Sequence, residues 1–403
     1  MVPQIITVVG IGADGWPGLS PAAAVAVEQA GVLIGGPRQL ALVPARVTAE
    51  RVTLPSPLLP GLPGLVARHA GSAPVMLASG DPMFYGIGVT LVRLLGADRV
   101  RVLPHPSSVS LAAARLGWAL DDVELVSLVG RPAELLQPLL QPGRRVLALV
   151  AEDTGGRDVL AMVRDRGLGG SEVTVLADLG GPDEAVTAAS DAPHSRLAII
   201  AIECRADPGA RPLPRTPGLP DDAFEHDGQI TKREVRALVL AALAPVPGQL
   251  LWDVGAGSGS VGIEWMRVHP ASRAIAIEPR PERQAVIARN AAALGVPGVT
   301  VVAGAAPEAL DGLPRPDAVF IGGGVTAGGV VDACWAALAP GGRLVANAVT
   351  LESERVLLDW QGELGGTLTR LSVERAGRLG GFTAWRPALP VTQWAVVKER
   401  EDA

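Results

Sequence analysis

Two acids frame a run of alternating glycines in the second half of the chain. Asp253 sits near the end of a short apolar run, Leu250 to Val254. Gly255, Ala256, Gly257, Ser258 and Gly259 follow, and the apolar pattern resumes as Val261-Gly262-Ile263-Glu264-Trp265. This segment predicts a strand, a tight turn and a helix. Glycine lets a turn pass close to a ligand, because no Cβ stands in the way. The helix start adds N–H groups with no partner inside the helix. Glu278 ends the next apolar run, Ala274 to Ile277, about 20 residues on, where an acid accepts hydrogen bonds from a ribose. The chemistry implied is the holding of a nucleoside-type cofactor.

Two registers fit the glycines. Asp253, Gly255, Gly257 and Gly259 form D-x-G-x-G-x-G, while Gly257, Gly259 and Gly262 satisfy G-x-G-x-x-G, the dinucleotide fingerprint. The turn starts immediately after its strand, which suits the first register. A later strand, Asp317 to Ile321, runs into Gly322-Gly323-Gly324, a floor with room for a bulky substrate. Both features favour S-adenosylmethionine over NAD.

The elements that must position these residues alternate strand and helix, which predicts an α/β protein with parallel layers. In the first half, strands are expected at Ile5 to Val9, Val32 to Ile34, Pro74 to Ala78 and Val100 to Leu103, with a Pro- and Leu-rich loop over 55–64. Ser79 to Gly88 reads as a turn cluster opening a helix. The pattern resets at Val123 to Leu128, with strands at Val146 to Val150, Glu172 to Leu176 and Leu197 to Glu203, so the first half is expected to form two lobes. Residues 206–220 hold a dense set of prolines and predict an extended linker. Beyond it, a helix from about Lys232, with Thr231 as its N-cap, precedes a Rossmann-like, doubly wound sheet of about seven strands. Domains are thus expected over 1–205 and 221–403.

Composition narrows the function class. A chain of 403 residues accommodates two or three domains, and 48% hydrophobic with 19% charged residues fits a soluble globular protein. The net charge of −6 argues against nucleic acid as a partner, since phosphate neutralisation needs a basic face. Cys204 and Cys334 are the only cysteines, too few for a disulfide framework or a zinc cluster, so no metal is expected. Met1 to Gln4 carry no charge, and no apolar run reaches the ~18 residues of a membrane span. A cytoplasmic protein is expected. Arginine supplies almost all positive charge, lysine occurring only at 232 and 398, a compositional bias of the chain.

Residues 225 to about 350 resemble class I S-adenosylmethionine-dependent methyltransferases, and among them the precorrin C15-methyltransferase (decarboxylating) family. The resemblance is carried by Thr231-Lys232-Arg233-Glu234-Val235-Arg236, Asp253 to Glu264, Ile277-Glu278, Gly304 to Glu308, Phe320 to Gly323 and Asn347 to Glu352. It implies that Thr231, Gly255, Ala256, Gly257, Ser258, Gly259, Glu278 and Ala306 line the cofactor. The first half is similar to the tetrapyrrole methylase family, a two-lobed α/β fold with the cofactor in its cleft. The matching residues are Val9 to Gly12, Ser79-Gly80-Asp81-Pro82, Tyr85-Gly86, Ser107-Ser108 and Ala113 to Gly117. Leu128 to Pro132 and Asp178 to Glu184 point to its precorrin C5-methyltransferase branch. Gly80, Asp81, Met83 and Ser108 would then touch the cofactor. His105 stands where the family usually has glycine, and Val129 where the branch usually has histidine.

Together the two halves resemble the fused precorrin C5,15-methyltransferases of cobalamin biosynthesis. The resemblance implies a tetrapyrrole substrate methylated at C5 and C15, with decarboxylation of its C12 acetate. It implies S-adenosyl-L-methionine as cofactor, no PLP and no metal, and a homo-oligomer by analogy with tetrapyrrole methylases. The substrate carries many carboxylates, which arginine binds bidentately; candidates are Arg131, Arg233, Arg236, Arg375, Arg378 and Arg386. Glu264 reads as a structural hydrogen-bonding group and His226 as a surface histidine, so no catalytic acid is assigned. A methyltransferase acting on nucleic acid or protein, a non-catalytic S-adenosylmethionine sensor and an NAD oxidoreductase remain as alternatives.

Overall fold

The computed structural model describes residues 5–151, 156–190 and 198–399. Met1 to Gln4 and Leu197, read above for a leader and a strand start, lie outside them. The chain divides into two compact units. The first comprises 1–133 and 142–211, the second 134–141 and 212–403. The second unit thus takes in a short stretch from the middle of the first half.

Alternation of apolar side chains builds the first sheet of the first unit. Its strands are β1 (Ile6–Ile11), β2 (Val32–Gly35), β3 (Glu50–Thr53), β4 (Pro74–Ser79) and β5 (Val100–Leu103), all parallel, in the order β3-β2-β4-β1-β5. Successive side chains of a strand point to opposite faces. Ile6 and Val8 of β1 enter one buried cluster, and Val9 and Ile11 enter another on the opposite face. Helices α1 (Pro21–Glu28), α2 (Pro37–Ala41), α3 (Leu58–Arg68), α4 (Ile87–Leu95) and α5 (Ser108–Leu116) connect these strands or follow them.

Two sequence expectations fail here. The stretch 55–64, read as a loop, contains most of α3. Pro60 falls in the first turn, where its missing N–H would be unpaired in any case. Pro63 forfeits one helical bond, and burial of Leu62, Leu65 and Val66 offsets it. The second lobe is not a parallel layer either. Its strands are β6 (Val123–Ser127), β7 (Arg145–Val150), β8 (Glu172–Ala177), β9 (Ala185–Ala188) and β10 (Ala198–Glu203). They run β6-β7-β10-β8-β9, and only β6 and β7 pair parallel. Helix α6 (Gly156–Asp165) joins β7 to β8.

The linker residues are docked rather than free. Both Asp207 carboxylate oxygens accept backbone N–H groups, from Gly169 and Gly170, within the first unit. In the second unit, Pro214 accepts a bond from Arg267, and Leu219 is buried.

The second unit opens with α7 (Arg233–Leu243) and seven strands: β11 (Leu250–Val254), β12 (Arg273–Glu278), β13 (Thr300–Ala303), β14 (Ala318–Ile321), β15 (Arg343–Ala348), β16 (Thr367–Leu371) and, after a hairpin, β19 (Val391–Val397). The hairpin, β17 (Glu374–Leu379) with β18 (Phe382–Pro387), forms a separate two-stranded sheet. The main sheet runs β13-β12-β11-β14-β15-β19-β16, with β19 antiparallel to both neighbours. Helices α8 (Ser260–Val268), α9 (Pro281–Ala293), α10 (Val330–Ala337) and α11 (Leu351–Leu364) complete the unit. Strand order reverses at β11 and β14, and in such sheets ligands bind beyond the carboxyl ends of the strands at that switch. Leu250, Trp252 and Val254 face one core and Leu251 the other. No helix among the described residues is long and apolar enough to cross a membrane.

Candidate functional sites

At the end of β11 the glycine turn takes a backbone path that side chains resist. Gly255, Gly257 and Gly259 have φ of 68°, 59° and 76°. A Cβ on Gly255 would stand 2.8 Å from the backbone of Gly323, so the turn and the glycines after β14 touch backbone to backbone. Gly262 belongs to α8 instead, where its N–H donates to Asp253 at 2.9 Å. The turn therefore spans 255–259, and the D-x-G-x-G-x-G register is the structural one.

Glu278 closes the turn from the neighbouring strand. Its carboxylate accepts the N–H of Gly257 at 2.8 Å and that of Arg280 at 3.1 Å. Asp253 lies beneath, fully buried. Loss of solvent, with a smaller contribution from the Glu278 charge, pushes its carboxyl up to about 7 against the bond from Gly262. A cavity of about 460 Å³ opens above, lined among others by Thr231, Asp253, Gly255, Ala256, Gly257 and Gly323.

Of the residues expected to line this cofactor, Glu278, Ser258, Gly259 and Ala306 lie outside the cavity wall. Ser258 is buried; its hydroxyl finds no partner, and its carbonyl accepts Asn290 at 3.0 Å. Gly259 caps α8 with Ile287 packed beside it. Ala306 packs against the core cluster and is not part of the cavity wall. Thr231 lines the cavity but does not cap α7: the helix starts at Arg233 with Lys232 as N-cap, and the Thr231 carbonyl accepts the Arg236 guanidinium.

The arginines separate sharply. Arg375 lines the cavity and pairs with Glu234. Arg233 and Arg378 are exposed and outside the wall, and the Arg378 carbonyl accepts Arg386. Arg236, expected at the substrate, is instead completely buried. Its donors go to Glu264 at 2.6 Å, Asp221 at 3.3 Å and the carbonyls of Thr231 and Leu219. Glu264 in turn accepts the N–H groups of Gly218 and Leu219 at 2.6 and 2.9 Å. Arg236 therefore anchors the entering chain, with four of its five N–H groups engaged and its side chain outside the cavity wall. Arg283, on α9, lines the cavity too; reasoning from the glycine motif alone missed it.

The first unit holds a larger cavity, about 1030 Å³, walled by both of its sheets. Gly80, Asp81 and Ser108 line it. Met83 does not; it is exposed, and its N–H donates to Asp81 at 2.8 Å, closing the turn. Gly10 stands so close that a Cβ would meet the Gly80 carbonyl at 2.2 Å. Arg131 reaches the wall only indirectly, with its guanidinium 5.3 Å from the centre of the Tyr85 ring. Val129 is part of the wall, whereas His105 is buried with Nε2 3.2 Å from Asp14.

Arg38 is the one cation among the described residues of this wall. Burial lowers its pKa, while Asp178 opposes that shift. The sequence held one signal for it, an arginine opening a helix after Gly35-Gly36-Pro37.

Comparison with known proteins aligns with both units. Residues 6–191 match the tetrapyrrole (corrin/porphyrin) methylases, and residues 222–398 match the precorrin methyltransferase domain. Over 403 residues the chain is 54% identical to the precorrin-6Y C(5,15)-methyltransferase (decarboxylating) of Sinorhizobium sp., covering 99% of this chain and 97% of that one. A probable cobalt-precorrin-6B C(15)-methyltransferase (decarboxylating) of Pyrobaculum aerophilum is 37% identical over 183 residues, 44% of this chain and 93% of its own. The cobalt-precorrin-7 C(5)-methyltransferase of Salmonella typhimurium is 33% identical over 205 residues, 50% of this chain and 100% of its own.

Proposed function

This chain belongs to the precorrin-6Y C5,15-methyltransferase (decarboxylating) family, and on that basis we propose that it methylates a precorrin-6-type macrocycle at C5 and C15 and removes CO2 from the C12 acetate, a step of cobalamin (vitamin B12) biosynthesis. The first unit performs the C5 methylation. The second performs the C15 methylation and the decarboxylation. The observation that carries this reading is the presence of two unlike cavities, each inside its own unit.

S-adenosyl-L-methionine is the donor, and the residues present fit it. Above Gly257 the space is open, a Cβ there meeting only the Gln229 carbonyl at 3.8 Å. The Glu278 carboxylate sits at the strand end where a ribose is held. The sulfonium supplies an activated methyl group. The protein's share is alignment, which contributes about 7–11 kcal/mol when a reactant is held in attacking geometry. In the second cavity Arg375 and Arg283 offer guanidinium groups to substrate carboxylates, and in the first Arg38 does so. A free tetrapyrrole substrate, a cytoplasmic location and assembly of identical chains complete the reading, without nucleic acid or membrane.

Mass spectrometry of the reaction with labelled donor tests it. Two methyl groups are gained and one CO2 is lost. A lesion at Gly257 removes the C15 methylation or the CO2 loss and spares C5; a lesion at Asp81 removes only C5. Loss of both methylations from either lesion in a folded protein would overturn the division of labour.

A further inference from the structure

Decarboxylation leaves a carbon that needs a proton, and few groups around the second cavity can supply one. Arg283 and Arg375 line it, but a guanidinium does not give up its proton in a protein. Glu234 is paired with Arg375. Asp253 lies under the glycine turn, 1% exposed, with an oxygen on the Gly262 N–H. Lys232 differs from all of these. It lines the cavity, its side chain is 45% exposed, and the nearest anion to Nζ is Asp221 at 4.0 Å.

The residue type is informative in this chain. Arginine fills 33 of its 35 Lys and Arg positions. The other lysine, Lys398, is engaged by the carbonyls of Trp335, Ala336 and Leu338. Among the described residues, position 232 is thus the one where a lysine is part of this cavity's wall. An ammonium differs from a guanidinium in being able to release its proton.

We propose that Lys232 is the general acid of the decarboxylation. The proposal rests on the reading that the second unit decarboxylates a ring acetate. The bond between methylene and carboxylate breaks, its electron pair enters the conjugated macrocycle, and CO2 leaves. The pair returns to the methylene carbon as that carbon takes a proton from Nζ, giving a methyl group and a neutral amine. Water reprotonates the amine, which the exposure of the side chain permits. Asp221, itself 3.3 Å from Arg236, supplies a fixed negative charge behind the ammonium.

The test separates proton donation from mere positive charge. In the full chain, Lys232→Arg keeps the charge, and Lys232→Cys can be alkylated selectively because Cys204 and Cys334 are buried. Alkylation with 2-bromoethylamine rebuilds an ammonium with protons; alkylation with (2-bromoethyl)trimethylammonium builds a cation without them. Substrate labelled in the acetate carboxyl reports CO2 release in single turnover, and calorimetry reports S-adenosylhomocysteine affinity. Lys232→Arg is expected to slow CO2 release by about 10²–10⁴-fold with unchanged S-adenosylhomocysteine affinity. The aminoethyl form is expected to recover the rate and the trimethylammonium form not to. Wild-type CO2 release from Lys232→Arg, equal recovery by both alkylated forms, or a loss traced to weaker S-adenosylhomocysteine binding overturns the proposal alone. A wild-type chain that transfers no methyl and releases no CO2 overturns the functional reading with it.

Discussion

The Glu278 carboxylate accepts the backbone N–H of Gly257 at 2.8 Å, tying the tip of β12 to the middle of the glycine turn. One buried acid thus shapes the turn, and the proposed function gives it the ribose of the donor as a further partner. Hydrogen bonds to a charged group contribute about 1.5–3 kcal/mol each. Glu278→Ala is therefore expected to weaken S-adenosylhomocysteine binding at the second site by one to two orders of magnitude, as calorimetry would measure. Unchanged affinity would show that the ribose is held elsewhere.

Gly255 carries a sharper demand. Valine there would have to adopt φ near 68° and place Cβ 2.8 Å from the Gly323 backbone. Backbone strain of that kind costs on the order of 1–3 kcal/mol before the clash is counted. Gly255→Val should abolish CO2 release and C15 methylation while the C5-methylated product still forms. Retention of C15 methylation would mean that the turn does not hold the donor.

Arg236 and Glu264 are a buried ion pair, and removing one partner leaves the other charge unpaired, at a cost of about 3–5 kcal/mol. Arg236→Met should lower the unfolding midpoint of the second unit markedly. Six of the eight tryptophans lie in that unit, at 252, 265, 335, 360, 385 and 394, so their fluorescence reports it. A stable, fully folded Arg236→Met that has lost only substrate affinity would restore the substrate-binding role.

Asp253 makes stability depend on pH. Its carboxyl is raised from 3.8 to about 7 in the folded chain, so between those values the folded state holds a proton that the unfolded state has released. Stability linked to this group is fully present below the unfolded value and falls as pH rises to about 7. About three units at about 1.4 kcal/mol each set a scale of ~4 kcal/mol. Asp253→Asn lacks this dependence. The variant should therefore gain stability relative to wild type between pH 5 and pH 8 in urea titrations; a constant difference would contradict the shift.

Arg38 is expected to serve the C5 site alone. Arg38→Met should raise the KM of the C5 methylation by roughly tenfold, on the scale of one charge-assisted hydrogen bond, and leave C15 methylation unaltered. Equal effects on both steps would remove it from the first cavity's work.

Much of the second site was legible because its signals are local. Alternating glycines between a strand and a helix, and an acid at the next strand tip, are set by neighbours in the chain; the structure ties them by the Gly257 to Glu278 bond, and Gly255 and Gly257 line the cavity. The segment after the Pro-rich stretch was less legible. Thr231, Lys232, Arg233 and Arg236 are nearly consecutive, yet two line the cavity, one is exposed outside its wall, and one is buried. Nothing in their spacing says which face of α7 meets Glu264, 28 residues away.

By itself, then, the sequence determined the α/β class, the strand–turn–helix at Gly255 to Gly259 and the acid at Glu278. Backbone sterics and apolar periodicity act over a few residues and are written directly in residue types. Tertiary structure alone decided that Arg236 anchors chain rather than substrate, that Arg38 lines the first cavity, that Asp253 is desolvated and that Lys232 lines the second cavity. Burial and partner choice depend on which distant segments pack together, and that information resides in the assembled sheets and their helices.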